Sequence, residues 1–156
     1  MPRTFDGVDD LVAAVGEDLG RSGPHLVGQR EIEAFADATG DRQWIHVDPA
    51  RAETGPFGRT VAHGYYLVSI LPAMFAEIFQ IDGVGAMINT GVDEFRFLRP
   101  VPSGSTINVG VRLVSVRVRR RGVADLSLGV RFYLDTQPDP VCTGLVHCML
   151  RPLPVH

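Results

Sequence analysis

The chain has no lysine: all 15 of its basic residues are arginine, set against 18 acidic residues for a formal net charge of −3 over 156 residues. That absence excludes a Schiff-base lysine, a P-loop lysine and a Ser-Lys dyad. The slight acidic balance also argues against nucleic acid as a partner, since domains that bind it are usually basic. Cysteine is nearly as scarce, with Cys142 and Cys148 alone. In one extended strand they would stand about 20 Å apart, beyond disulfide reach, so two free thiols of a reducing cytoplasm are expected. No apolar run approaches the roughly 20 residues that a bilayer span requires; the longest, Tyr65 to Phe79, is broken by Ser69, Pro72 and Glu77. The first ten residues, MPRTFDGVDD, lack the apolar centre of a signal peptide. A cytoplasmic protein without membrane contact is the expectation.

What is present suits one ordinary domain spanning 1–156. Apolar residues make up 45% of the chain, and a chain of this length can bury roughly 70% of its unfolded surface without staples. Nothing reads as a linker, a repeat or a low-complexity segment. Residues 6–15 place Val8, Leu11, Val12 and Val15 on one helical face, and a short strand is expected near 24–28. Ile32, Phe35 and Ala36 predict a helix over 30–38 that ends at Gly40, a natural left-handed C′ residue. Asp48-Pro49 predicts a short helix with Asp48 as N-cap and Pro49 at N1.

The clearest helix follows His63-Gly64. Leu67, Ile70, Leu71, Met74, Phe75 and Ile78 form a broad apolar face, wide enough for burial on more than one side. Pro72 lies inside it and is expected to remove one backbone bond and bend the axis. From Ala86 the period changes to two. Ile107, Val109, Val111 and Leu113 alternate with polar residues, and the parity then shifts to Val114, Val116 and Val118, which predicts a β-bulge at 113–114. Arg119 to Gly122 makes a turn, and Ala124 to Leu134 and Val141 to Leu150 return as strands. The pattern implies an α+β fold, an antiparallel sheet wrapped around one buried helix.

The densest polar cluster outside the strands is Gly40-Asp41-Arg42-Gln43-Trp44-Ile45-His46-Val47-Asp48-Pro49. Five residues apart across a loop, Asp41 and His46 can converge on one water as a general acid–base pair. Equally, Asp41 can cap the turn and His46 be a satisfied buried histidine. Directly before the long helix, Gly64 offers backbone donors at the positive end of a helix dipole, suited to a developing oxyanion; a tight approach of the chain to the helix explains that glycine as well. A metal set of His46, His63 and His147 matches no local ligand spacing, and Gly83-Val84-Gly85 is too short for a dinucleotide fingerprint. Ser69 and Cys142 have no adjacent base. The arginines at 117 and 119–121 suit a solvated hairpin tip or a phosphate anchor.

Taken together, A-T-G-D-R-Q-W-I-H-V-D-P at 38–49, G-P-F-G at 55–58, T-V-A-H-G at 60–64 and F-R-F-L-R-P-V-P-S-G-S at 95–105 resemble the MaoC-like, or hydratase-2-like, branch of the hot-dog fold. The resemblance runs in order along nearly the whole chain. It implies that Asp41 and His46 are a hydratase dyad and that the Gly64 N–H is the donor to a thioester oxygen. The implied reaction is reversible syn addition of water to a trans-2-enoyl-CoA, giving an (R)-3-hydroxyacyl-CoA, with no metal and no organic cofactor. It further implies substrate contacts from Gln43 and His63. The stretch A-M-I-N-T-G at 86–91 resembles a segment that lines the acyl pocket in a bacterial subgroup, which adds Asn89 and Gly91. Two departures stand out: Gln43 replaces the usual Asn, and Trp44 a frequent Pro. Because hot-dog domains pair, a homodimer is implied, acting on acyl-CoA or an acyl-carrier-protein thioester. Any phosphate contact would come from Arg96, Arg99 or the 117–121 cluster. A hot-dog thioesterase would want an acid on the main face of the central helix, where only the late, off-face Glu77 is available; an inactive accessory subunit would have no catalytic reason to keep Asp41 and His46.

Overall fold

The alternation of β-branched and leucine residues with polar ones builds the sheet, and the computed structural model describes it together with the rest of residues 1–153. Strand β7 (Ala124–Leu134) turns Ala124, Leu126, Leu128, Val130, Phe132 and Leu134 inward and its intervening residues outward. It pairs antiparallel with β6 (Ser105–Val118) on one side and with β8 (Pro140–Pro152) on the other. In β6 the ladder runs from Ile107 opposite Leu134 to Leu113 opposite Leu128, then slips, so that Ser115 faces Ser127 and Val116 faces Leu126. The bulge therefore forms where the sequence places it. Val114 does not join the apolar set, however: it is the extra residue, turned to the outer face and 44% exposed.

The remaining strands are β2 (Asp18–Arg21), β3 (His25–Val27) and β5 (Val84–Phe97). They complete a six-stranded sheet in the order β2-β6-β7-β8-β5, with β3 also on β6 and all pairs antiparallel. A separate parallel pair joins β1 (Arg3–Phe5) to β4 (Phe79–Ile81). Strands β1, β2 and β4 run three or four residues, too short to show a period in the sequence.

Helix α5 (Gly64–Ile78) packs along the inner face of this sheet, with Leu67, Leu71, Met74, Phe75 and Ile78 all buried in the main core. Its 15 residues continue through Pro72, which is exposed; there, solvent can take up the Val68 carbonyl that the proline leaves without a donor. Four shorter helices precede it: α1 (Gly7–Ala13), α2 (Gln29–Thr39), α3 (Trp44–Val47) and α4 (Pro49–Glu53). No helix among the described residues is long and apolar enough to cross a membrane.

Edge strand β5 departs from this regularity. Its ladder with β8 slips three times, Glu94 takes φ of 54°, and most of its residues are exposed. By contrast, Cys142 and Cys148 on β8 point inward and are fully buried, both as free thiols. Burial pushes the Cys142 thiol up to about 12 and raises that of Cys148. Native protein is accordingly expected to leave both thiols unreactive toward Ellman's reagent at pH 8, and to release two equivalents on denaturation in guanidinium; rapid reaction of either in the native state would contradict the burial.

Candidate active site

Helix α2 ends where Gly40 adopts the left-handed conformation (φ 77°) and its N–H returns to the Ala36 carbonyl. The chain then leaves the helix through Asp41, whose carboxylate accepts a long hydrogen bond from the Gln43 N–H at 3.4 Å. One turn of α3 carries His46 into the interior, where it is 6% exposed. His46 Nδ1–H donates to the Val61 carbonyl at 2.7 Å. A carbonyl only accepts, so neutral His46 bears its proton on Nδ1 and keeps Nε2 as the basic nitrogen. The Val61 N–H donates in return to the Ile45 carbonyl at 3.0 Å, which fastens the two segments from both sides.

His63, at the N-cap of α5, meets this pair from the opposite direction. It is 3% exposed, and its ring stacks on His46 with centroids 3.8 Å apart and planes 23° from parallel. Its Nε2–H donates to the Asp41 backbone carbonyl at 2.8 Å. One nitrogen from each histidine and a carboxylate oxygen of Asp41 lie within 4.8 Å of one another. Such a set could suggest a divalent cation. A zinc ion, though, sits about 2.0–2.1 Å from each nitrogen, along its in-plane lone pair, and face-to-face rings direct those lone pairs side by side rather than to one point. A water, held at about 2.9 Å with broader angular tolerance, suits the cluster better.

Gly64 opens α5, and as the first helical residue its N–H has no intrahelical acceptor. Its φ is unremarkable; the glycine is required by Phe97, whose ring would lie 2.9 Å from an added Cβ. Asp48 caps α4 as its spacing predicts, accepting from the Arg51 N–H at 3.0 Å with Pro49 at N1. Trp44 packs under the Arg51 guanidinium and so close to Gly55 that a Cβ there would fall 2.9 Å from the indole. The bulky residue at the usual proline position is thus accommodated by the glycine of G-P-F-G.

Residues 10–129 match the model of the MaoC-like domain. The chain belongs to the MaoC-like dehydratase family. Over 142 residues it is 41% identical to 3-hydroxyacyl-thioester dehydratase Z of Mycobacterium tuberculosis, covering 91% of this chain and 94% of that one. Among solved structures, a monoamine oxidase regulatory protein from Archaeoglobus shares the fold with a TM-score of 0.78, at 24% identity over 99% of both chains. The (R)-hydratase from A. caviae involved in PHA biosynthesis matches with a TM-score of 0.70, at 25% identity over 86% of this chain and 94% of that one.

In this MaoC-like chain the other expected residues are spread more widely. Gln43 is exposed at the start of α3, where its carbonyl accepts the His46 N–H. Asn89 and Gly91 lie on β5 and line an apolar cavity of about 170 Å³ with Val92, Val146 and the α5 residues Val68, Leu71, Pro72 and Phe75; neither Asp41 nor His46 lines it. Its lining on α5 begins at Val68, four residues and roughly 6 Å along the helix from Gly64, and ends at Phe75. Asn89 Oδ1 accepts from the Cys148 thiol at 3.5 Å.

His147 does not join the other histidines. On the outer face of the sheet it donates from Nε2 to Asp93 at 3.0 Å and accepts from the Ser127 hydroxyl at 2.9 Å. A hollow of about 600 Å³ also lies on that face, walled partly by Arg21, Arg112 and Arg131, and includes neither Asp41 nor His46. Arg99 is engaged by Gln137 and Asp139, and Arg119 by Asp125.

Sequence reasoning missed Gln29, whose amide donates to the His46 carbonyl at 2.8 Å and whose oxygen accepts from the Thr60 hydroxyl. It stands 17 positions from His46, and no local motif marks it. The Gly64–Phe97 contact was equally invisible, since the residues lie on separate elements. It makes a quantitative expectation: Gly64→Ala should cost about 1–2 kcal/mol of stability through overpacking, and Phe97→Ala in the same chain should recover most of it. Additive losses in a double-mutant cycle of thermal unfolding would refute the contact.

Proposed function

We propose that the chain hydrates trans-2-enoyl thioesters reversibly to (R)-3-hydroxyacyl thioesters, with Asp41 and His46 as the acid–base pair. The observation that carries this reading is the convergence, within 4.8 Å, of an Asp41 carboxylate oxygen, a nitrogen of His46 and a nitrogen of His63, with His63 directly preceding the first amide of the buried helix α5. A water between Asp41 and His46 can donate one hydrogen to each. As its oxygen adds to C3, one O–H bond breaks toward the pair and the C3–O bond forms. The π electrons move to C2 and the thioester carbonyl, whose growing negative charge the Gly64 N–H stabilises. The captured proton is then returned to C2, forming the C–H bond and restoring the pair. Both carriers of the proton belong to the protein, and the step requires no metal and no organic cofactor. The names of the relatives, a 3-hydroxyacyl-thioester dehydratase and an (R)-specific enoyl-CoA hydratase, support the same chemistry.

Thioester hydrolysis is less well supported. Glu77 is the sole acid on α5, and it accepts from the Gly23 N–H at 2.9 Å and pairs with His25 at 2.8 Å. It is thus held near the far end of the helix from Gly64, with its carboxylate already occupied.

Edge strand β5 supports pairing of two chains. Ile88, Val92, Phe97 and the following Leu98 are exposed on or beside it, Tyr65 is 73% exposed against Phe97, and the strand's outer backbone edge has no neighbour among the described residues. A long exposed apolar edge is a template for another strand. A homodimer joined at β5 would also close the cavity at Asn89 and Gly91, a suitable place for the acyl chain of a CoA or acyl-carrier-protein substrate.

Purified protein should remove the enoyl absorbance of crotonyl-CoA and yield the (R)-alcohol without releasing thiol. Asp41→Asn and His46→Ala should each lower kcat by about 10²–10⁴-fold. Thiol release in place of hydration, or full activity in both variants, would sink the assignment. In sedimentation equilibrium the mass should be twice that of one chain, and Val92→Asp should shift it toward the monomer; a monomeric wild type would contradict the pairing.

A further inference from the structure

Asp41 and His46 converge from different supports. His46 is anchored by its own hydrogen bond to Val61, whereas Asp41 sits in the loop between α2 and α3, where its carboxylate accepts a long hydrogen bond from the Gln43 N–H. The spacing of the pair therefore depends on something that touches both, and His63 does. Its ring face lies on His46 at 3.8 Å and its Nε2–H holds the Asp41 backbone at 2.8 Å. Phe35 closes on the same ring, with centroids 5.0 Å apart. The segment carrying His63 is itself fixed by the Ala62 N–H, which donates to the Val101 carbonyl at 2.8 Å.

Building on the dyad reading above, we propose that His63 is a positioning residue, setting the distance between the Asp41 carboxylate and the His46 imidazole rather than touching the substrate. Its two nitrogens are both accounted for. Nε2 is occupied by Asp41, and Nδ1 is buried without a hydrogen-bond partner. An unpaired buried acceptor opposes folding, so an apolar side chain of similar volume would suit packing alone better than imidazole. What imidazole supplies, and an apolar ring does not, is an N–H directed at the Asp41 carbonyl together with a flat face against His46. The substrate contact expected from sequence is thereby replaced by a structural coupling of the two groups that do the chemistry.

Three substitutions separate these functions. His63→Gln places an amide nitrogen at the position of Nε2, His63→Asn places one only as far out as Nδ1, and His63→Phe keeps a ring face without a donor. In crotonyl-CoA hydration, Asn and Phe are expected to lose about 100-fold in kcat, with KM changed by no more than about threefold, as a misplacement near 1 Å would produce. Gln should return to within about tenfold of the wild type. Thermal unfolding of all three reports folding separately: a role in packing alone would make kcat follow the melting temperature and would favour Phe. Equal activity of Gln and Asn, or unchanged activity in Phe, would overturn the proposal.

A long-range ¹H–¹⁵N spectrum of the wild type supplies a readout independent of turnover. It should place the proton of His63 on Nε2 and that of His46 on Nδ1, and a His63 proton on Nδ1 would overturn the coupling. Wild-type protein that fails to hydrate the enoyl thioester would overturn the dyad itself. Active wild type with indistinguishable variants would overturn the role of His63 alone.

Discussion

The hydrogen bond from His46 Nδ1 to the Val61 carbonyl governs the arrangement of the site. It fixes one tautomer of an imidazole that is otherwise free to choose, and so leaves Nε2 as the nitrogen with a lone pair. The same bond joins the end of α3 to the strand-like segment before α5, and the reciprocal bond from the Val61 N–H prevents that segment from sliding. Two residues beyond Val61 stands His63, and one further Gly64, so the stacking ring and the helix-initial amide are placed by that one junction. Asp41, His46 and Gly64 come from three separate elements, yet their relation is set within a few residues of a single carbonyl.

Burial makes this economy possible. With His46 and His63 excluded from solvent, hydrogen bonds of 2.7–2.8 Å to backbone carbonyls act in surroundings where leaving them unmade would be costly. Gln29 extends the same logic by joining the His46 carbonyl to Thr60, which is itself buried. The site is therefore carried by main-chain acceptors rather than by charged partners, and the shortage of basic side chains other than arginine does not constrain it.

Much of this could be read from the chain alone. The apolar face from Leu67 to Ile78 announces α5 because its period is unmistakable, and the switch to period two announces β6, β7 and β8. The Asp48-Pro49 cap was legible because a cap is a local event. The pairing of Asp41 with His46 was legible only through a combination of motifs, since spacing by itself fits a turn cap and a buried histidine just as well. What remained hidden is non-local. The stack of His63 on His46 spans 17 positions, and Gly64 owes its identity to a ring on β5. Strand β5 was also harder to judge, because an edge exposed on so much of its length shows no clean alternation between a buried and a solvated side.

The slip at Val114 has a consequence for how this chain can vary. Side chains in a strand alternate faces, so an insertion or deletion of one residue reverses every position beyond it until something restores the phase. In β6 the bulge is that restoring element: Val116 packs on the core opposite Leu126 only because Val114 has been set aside, while Val118, opposite Ala124 at the end of the strand, is exposed. The hairpin from Leu113 to Leu128 thus behaves as a counted length, in which single-residue changes must occur in compensating pairs, while the exposed turn at Arg119 to Gly122 can change its composition without altering the count.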